Sequence, residues 1–428
     1  IRTTLQLLSS SALFKEKCKI VFHDRAMSYL NTSLKIINFV YDLSGITYQS
    51  KKLSQKQKLK IRCVYILNFF WFNSDVLGAM YWFIDGIRIG KTFLELTNVA
   101  PCVTFSVLAN AKVMFFIYYE DLVSHLYEKL SDLDAKHENG ETMEIRKTET
   151  GSLHALLKAS KILNILLLLT FNVSPLLLIV LKYMNTNEVE LILPLLIKYP
   201  FDAYAIKYWP FVYVHQFWST CLVILNICGS DFLLYVFCTY LRIQFRLLKY
   251  NFENIIEKNN VLNNDELLLF HNKFADLVKW HQELIRLASL LEAVFAKSIL
   301  VNFICSSILL CLTGFNVMAI DNIAFAVSFL IFLFVNLWQI YLLCFFGDLL
   351  MTSSMDVSEA MYNSKWYYLS PRAAKSVLIV LTRAQNPCKL TAFGFADVNF
   401  RAFTSILSSS WSYFALLKTV YTPPNTET

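Results

Sequence analysis

Seven apolar stretches, separated by charged or turn-forming segments, restrict the folding of this chain more than any other feature. They run from Cys63 to about Ile84, Phe93 to Tyr118, Ile162 to Met184, Phe211 to about Tyr250, Leu267 to Met318, and Ile323 to about Met351. The last, Ser376 to Tyr421, is broken into two pieces by Asn386-Pro387, where a backbone donor is lost and the preceding residue is pushed away from helix. About 20 apolar residues in a helix cross the ~30 Å hydrocarbon layer of a membrane. Charged residues make up only 17% of the chain, against roughly 25% in soluble domains. The expected fold is therefore all-α, a polytopic membrane protein with seven transmembrane helices.

Three stretches are too long for a bilayer. The fourth, if one helix, is about twice as long as the hydrocarbon is thick, and its later half carries Arg242, Arg246 and Lys249. The fifth begins with His271, Lys273, Asp276, Lys279 and Glu283, and the sixth continues past Asp348 into SMDVSEAMYNSKWYY. These long helices 4–6 are expected to extend into the cytosol and pack there as a bundle. The first span is expected to close at Asp85-Gly86, and Pro175 is expected to kink the third. The charged stretch from 119 to 158 reads as a loop with a helix attached. Residues 185–210, with Pro194, Pro200 and Pro210 and the interface-preferring aromatics Tyr199, Phe201, Tyr204, Tyr208 and Trp209, read as an ordered lid over a membrane-embedded site. Before the first span, Phe14, Val21, Met27, Leu30, Leu34, Ile37 and Val40 recur at helical spacing, as in an amphipathic segment on the inner membrane surface, with a solvated cytosolic arm as the alternative.

Charge orients the spans. Placing the N-terminus inside puts 33 of the 39 Lys and Arg residues on inner segments and six on outer ones, a large positive-inside bias. The expected topology is N-terminus inside, C-terminus outside. This is opposite to a G-protein-coupled receptor, and the chain has neither Asp-Arg-Tyr at the third span nor Asn-Pro-x-x-Tyr in the seventh. Most of the ten cysteines lie in apolar segments and none forms a CxxC pair, so they read as small core residues rather than disulfide or zinc ligands. Asp231, Asp348 and Glu292 are acids without catalytic companions and are expected to pair with neighbouring helices. Nothing suggests an enzyme, a cofactor, a metal site or nucleic-acid binding.

In the last stretch Ser405, Ser409, Ser412, Leu416 and Val420 share one helical face, with Ile406, Leu407, Trp411, Phe414 and Leu417 on the others. Such a face suits a narrow aqueous path closed by an aliphatic constriction; its alternative is a helix–helix seam built from small residues.

Residues 355 to 421 resemble the insect odorant receptor family through Tyr362, Trp366, Tyr367, Arg383 and Pro387 in LTRAQNP, Thr391 and Ala392 before FGF, and the closing FTSILSSSWSYFALL. Residues 199 to 218, YPFDAYAIKYWPFVYVHQFW, look like the outer loop and fourth-helix entry of moth pheromone receptors. The resemblance implies an odorant- or pheromone-gated non-selective cation channel subunit, in a heterotetramer with the odorant receptor co-receptor, in the plasma membrane of a sensory dendrite. It implies a pore on the last helix, gated at Leu416 and Val420, and a small hydrophobic volatile held among spans two to six. Candidate ligand contacts are Phe93, Thr97, Phe171, Ser174, Tyr208, His215, Trp218, Ser307, Phe315, Phe325 and Phe329, suited to a long-chain alcohol, aldehyde or acetate. A related gustatory-type channel and a metabotropic seven-span receptor remain alternatives. The chain then divides into an N-terminal region (1–62), spans one to six with the ligand pocket and helix extensions (63–350), an anchor region with the first half of helix seven (351–395), its pore-lining second half (396–421) and a tail (422–428).

Overall fold

The computed structural model describes residues 30, 32–48, 53–136, 143–256, 264–320 and 322–420. The expected amphipathic positions Phe14, Val21 and Met27 and the tail lie outside them. All regular structure among the described residues is helical, apart from one isolated bridge between Thr391 and Asp397. A first helix, α1 (32–44), buries Leu34, Ile37, Val40 and Tyr41, so the helical spacing read from the sequence is used to pack the segment into the bundle. Its Tyr41 hydroxyl donates to the carbonyl of Gly229, 3.1 Å away.

α2 (Gln55–Ile89) and α3 (Phe93–Tyr118) are opened by capping boxes, Ser54 with Gln57 and Thr92 with Glu95, which satisfy backbone donors at each start. The first span does not close at Asp85-Gly86. The helix continues to Ile89 and ends at Gly90, whose φ of 76° is the left-handed conformation that terminates helices. Asp85 instead pairs with Lys198 of the lid.

The charged stretch after α3 is more ordered than a loop. α4 (Glu120–Lys136) places Val123, Leu126, Leu130 and Leu133 on one buried face at spacings of three and four. α5 (Met143–Thr186) starts well before Ile162 and continues through Pro175, because its first turns carry a second amphipathic face. There Arg146 pairs with Asp134, while Glu149 pairs with Arg246 and, at 3.1 Å, with Arg242. Burial raises the Asp134 carboxyl pKa, and the adjacent Arg146 opposes that rise. These pairs replace hydration that a solvated loop would have kept.

α6 (Trp209–Glu253), α7 (Asn264–Ala319) and α8 (Ile323–Asn363) form the centre, with α6 packed extensively on α8. α7 has 56 residues and is therefore about 84 Å long at 1.5 Å per residue. After a short 3-10 turn, α9 (Pro371–Ala384) lies against α8. Residues 385–399 then fold back, fixed by the Lys389–Asp397 pair at 2.9 Å and by the Thr391 hydroxyl donating to Glu292 at 2.6 Å. α10 (Phe400–Val420) runs along α7 and α8.

Five helices are long and apolar enough to cross a membrane among the described residues: α3, α5, α6, and the spans Leu267–Ala319 and Ile323–Tyr368. α2 and α10 are the first and last spans expected from the sequence. Asn68, Asn73 and Asp75 in α2 and the serines of α10 lower the mean hydropathy of these two helices. Apolar side chains on the outer surface, such as Leu67, Phe70, Leu177, Phe211 and Leu330, are more than half exposed in the isolated chain, as lipid-facing residues are.

Candidate functional site

Residues 187–208 cross one end of the bundle, and beneath them α2, α3, α5, α6 and α8 stand apart around a cavity of about 440 Å³. The lid is held from below. Gln216, with no exposed surface, accepts from the Leu195 N–H at 3.0 Å and donates to the Leu195 carbonyl at 3.2 Å. The lid also lies directly on α2 at Gly78, where a Cβ would come within 2.4 Å of the Ile197 side chain, so only glycine admits this approach. Trp209 donates from its indole to the Ile192 carbonyl at 3.2 Å.

The wall is mainly apolar, with Val76 and Ala79 from α2, Val99 and Val103 from α3, and Ile224 from α6. Polar groups are few. The Tyr199 hydroxyl donates to Asp75 Oδ1 at 2.9 Å, and His215 Nδ1 lies 3.0 Å from the same oxygen. Burial raises the Tyr199 phenol pKa, and the neighbouring Asp75 charge adds to the rise, so it stays a donor at neutral pH. Below the cavity, Lys112 of α3 pairs with Asp231 of α6, whose other oxygen accepts from Gln339 of α8 at 2.8 Å. Asp231 thus has the neighbouring-helix partner its sequence context suggested. Lys112, counted among the inner loop residues, is buried inside α3.

On α10, Ala402, Ile406 and Ser410 are buried, and the Ser410 hydroxyl lies 3.2 Å from the Ser307 carbonyl of α7. Ser405, Ser409, Ser412 and Leu416 are exposed in the isolated chain. Trp411, which the sequence pattern set on the apolar side, is 71% exposed, because the packed face is narrow and centred on Ile406 and Ser410. The Val420 side chain lies outside the described residues.

The family model described as 7tm Odorant receptor matches residues 92–411, well over half of the chain. The chain belongs to this odorant receptor family. Among curated proteins it is 26% identical to putative odorant receptor 92a of Drosophila melanogaster over 387 residues, which is 87% of this chain and 91% of that one. It is also 26% identical to Drosophila odorant receptor 85b, covering 91% of this chain and 99% of the relative. Among solved structures, the olfactory receptor OR5 from Machilis hrabei in complex with eugenol superposes with a TM-score of 0.76 at 18% identity, over 92% of this chain and 99% of that one.

In this odorant receptor the cavity wall brings together four of the candidate ligand contacts: Phe171, Ser174, Phe325 and Phe329. The other seven are not among its lining residues. Phe93 and Phe315 meet edge to face at 5.7 Å, and the Thr97 carbonyl accepts from Asn316 at 2.9 Å. Tyr208 packs on Phe201 at 5.4 Å, and Trp218 donates to Asn68 at 3.4 Å. The Ser307 hydroxyl returns to the Phe303 carbonyl at 3.0 Å. His215 stands behind the wall, stacked on Trp71 at 4.8 Å and reaching Asp75.

Asp75, Asn98 and Ser219 line the cavity without having been singled out from the sequence, whereas Glu190 to Ile197, which also line it, belong to the segment read as a lid. For Asp75 the signal was present, since an acid inside a membrane span is a functional candidate by default. No group of three or more His, Cys, Asp or Glu among the described residues is placed to hold a metal ion. The described cysteines are free, and five of them are buried.

Proposed function

We propose that this odorant receptor is a subunit of a ligand-gated, non-selective cation channel. A hydrophobic volatile of the pheromone type, a long-chain alcohol, aldehyde or acetate, enters the cavity under the lid. α10 supplies one subunit's share of a pore formed with the odorant receptor co-receptor in a heterotetramer. The chain sits in the plasma membrane of the sensory dendrite, N-terminus inside. Leu416 and Val420 close the pore, and residues 351–395 join the inner helix ends in an anchor between subunits.

The observation that carries this reading is the division of α10 into a face buried on α7 and a serine face, Ser405, Ser409 and Ser412, left exposed by its own chain. A membrane helix does not leave a row of hydroxyls to lipid when water or another chain can take them. The cavity and α10 are mechanically connected, because α8 lines the one and packs on the other. A ligand shifts that connection only by binding the open arrangement more tightly than the closed one.

The test is whole-cell and excised-patch recording from cells expressing the chain with and without the co-receptor. Odorant-evoked currents are expected to need the co-receptor and to persist in excised patches without nucleotide; currents that vanish there reject the channel in favour of a metabotropic receptor. Leu416→Ser is expected to raise basal leak several-fold or change cation selectivity, and unchanged currents reject Leu416 as the gate.

A further inference from the structure

The cavity wall contains three buried oxygen atoms with no hydrogen-bond partner among the described residues: Asp75 Oδ2, Asn98 Oδ1 and Ser219 Oγ. Asp75 and Ser219 are only 4% and 2% exposed. Buried polar groups in folded proteins are almost always paired, so an unpaired set beside a cavity marks where an entering molecule places its polar atoms. The chemistry of the set is one-sided. A carboxylate oxygen and an amide oxygen only accept, and the serine hydroxyl does either.

Asp75 is held in place for this task. Its other oxygen, Oδ1, takes the Tyr199 hydroxyl at 2.9 Å and faces His215 Nδ1 at 3.0 Å. The Tyr199 bond comes from the lid, outside α2, so it fixes the carboxylate rotamer and leaves Oδ2 to the cavity. Tyr199 in turn accepts from Gln216 Nε2 at 3.3 Å, which ties the same carboxylate to the residue that pins the lid.

We propose that Asp75 is the specificity-determining residue of this cavity and that it selects an apolar ligand whose head group donates a hydrogen bond, a primary alcohol, over aldehydes and esters of the same chain. This rests on the cavity being the ligand site. An aldehyde or acetate brings only acceptors and faces Asp75 Oδ2 and Asn98 Oδ1 with repelling lone pairs. An alcohol donates to Asp75 and accepts from Ser219. With the ligand bound, Asp75 joins the head group on one oxygen to Tyr199 of the lid on the other.

The experiment records whole-cell currents, with surface protein measured in parallel, from the full chain co-expressed with the co-receptor and exposed to dodecanol, dodecanal, dodecyl acetate and dodecylamine. A hydrogen bond to a charged group makes dodecanol effective at concentrations on the order of tenfold to a hundredfold below those of dodecanal and dodecyl acetate. Asp75→Asn, with its amide oxygen kept by Tyr199, turns a donor toward the cavity. It is expected to weaken dodecanol and strengthen dodecanal, so that their order narrows or inverts, whereas a merely structural Asp75 weakens all four alike. Asn98→Leu serves if Asp75→Asn does not reach the surface; by removing an acceptor that repels carbonyl oxygens, it is expected to strengthen dodecanal and dodecyl acetate relative to dodecanol. Ser174→Phe, which fills the cavity, is expected to silence every compound.

Intact responses in Ser174→Phe overturn the cavity as the ligand site, and the proposal with it. Silence in Ser174→Phe together with a dodecanol response that is absent or no stronger than dodecanal overturns the alcohol assignment alone. So does equal weakening of all four compounds by Asp75→Asn. Dodecylamine as the strongest agonist overturns it in favour of a cationic head.

Discussion

Two buried carboxylates of this receptor have opposite surroundings. Asp231 has both oxygens engaged, one by Lys112 and one by Gln339 at 2.8 Å. Asp75 has one oxygen held by the Tyr199 hydroxyl, with His215 Nδ1 3.0 Å away, and the other unpaired. The difference follows the packing around them. From Ile227 to Leu248 every residue of α6 is buried except Arg242 and Arg246, and the pocket beside Asp231 is only about 20 Å³, room for about one water and not for a ligand. Near Asp75 the helices part around the cavity. A charge in the close-packed half must find its partner within the chain, while one beside the cavity is available to what arrives.

The largest effect expected from this contrast is at Lys112. Lys112→Ala leaves Asp231 without its cation in a closed interior, a loss of roughly 3–5 kcal/mol. Thermal unfolding of the detergent-extracted protein is expected to drop sharply, and surface protein with it. Replacing the pair together, Lys112→Met with Asp231→Leu, is expected to recover most of that loss because no charge is left unpaired. Asp75→Ala is expected to be far milder in the same measurement. Equal losses for Lys112→Ala and Asp75→Ala would remove the distinction between the two sites.

Much of this architecture was legible in the sequence, and the parts that were not share a cause. The apolar stretches located the helices from Phe93 to Tyr118, Trp209 to Glu253, Asn264 to Ala319 and Ile323 to Asn363 closely, because continuous apolar residues leave little choice but helix. The lid was legible from its prolines and aromatics. The stretch from 119 to 158 was legible only as a loop with a helix attached, since Asp134, Arg146 and Glu149 read as solvated until the fold pairs Asp134 with Arg146 and brings Arg246 to Glu149. The same holds for the cavity. Phe171, Ser174, Phe325 and Phe329 were foreseeable as aromatic and polar groups toward one end of their spans, and Asp75 as an acid inside a span, but Ser219, and which oxygen of Asp75 stands free, are defined by what is missing around them. An unpaired oxygen is a property of three-dimensional neighbours and leaves no periodic trace.

The lid tests the loose half on a smaller scale. Gln216→Leu removes both hydrogen bonds to Leu195 and leaves that peptide group unpaired, a local loss of about 1–3 kcal/mol. The midpoint of global unfolding is expected to move little, because residues 187–208 lie outside the close-packed half. Hydrogen exchange is expected to accelerate across residues 190–197, and odorant responses to start and end faster. Slower exchange there, or a fall in unfolding midpoint as large as that of Lys112→Ala, would show that lid and core form a single cooperative unit.

The smallest effect separates two neighbouring serines on α10. Ser410 is 5% exposed, and its hydroxyl reaches the Ile406 carbonyl at 2.8 Å and the Ser307 carbonyl at 3.2 Å. Ser409 is exposed on the face that carries Ser405 and Ser412. Removing the Ser410 hydroxyl deletes the contact to α7, and interhelical hydrogen bonds in membranes contribute about 0.6 kcal/mol on average. Ser410→Ala is therefore expected to lower the unfolding midpoint slightly and leave unitary conductance unchanged. Ser409→Ala is expected to do the reverse, with unchanged stability of the isolated chain and an altered conductance or cation preference in the assembled channel. If both serines affect stability and neither affects conductance, the exposed row is a seam against a neighbouring subunit rather than the wall of a pore.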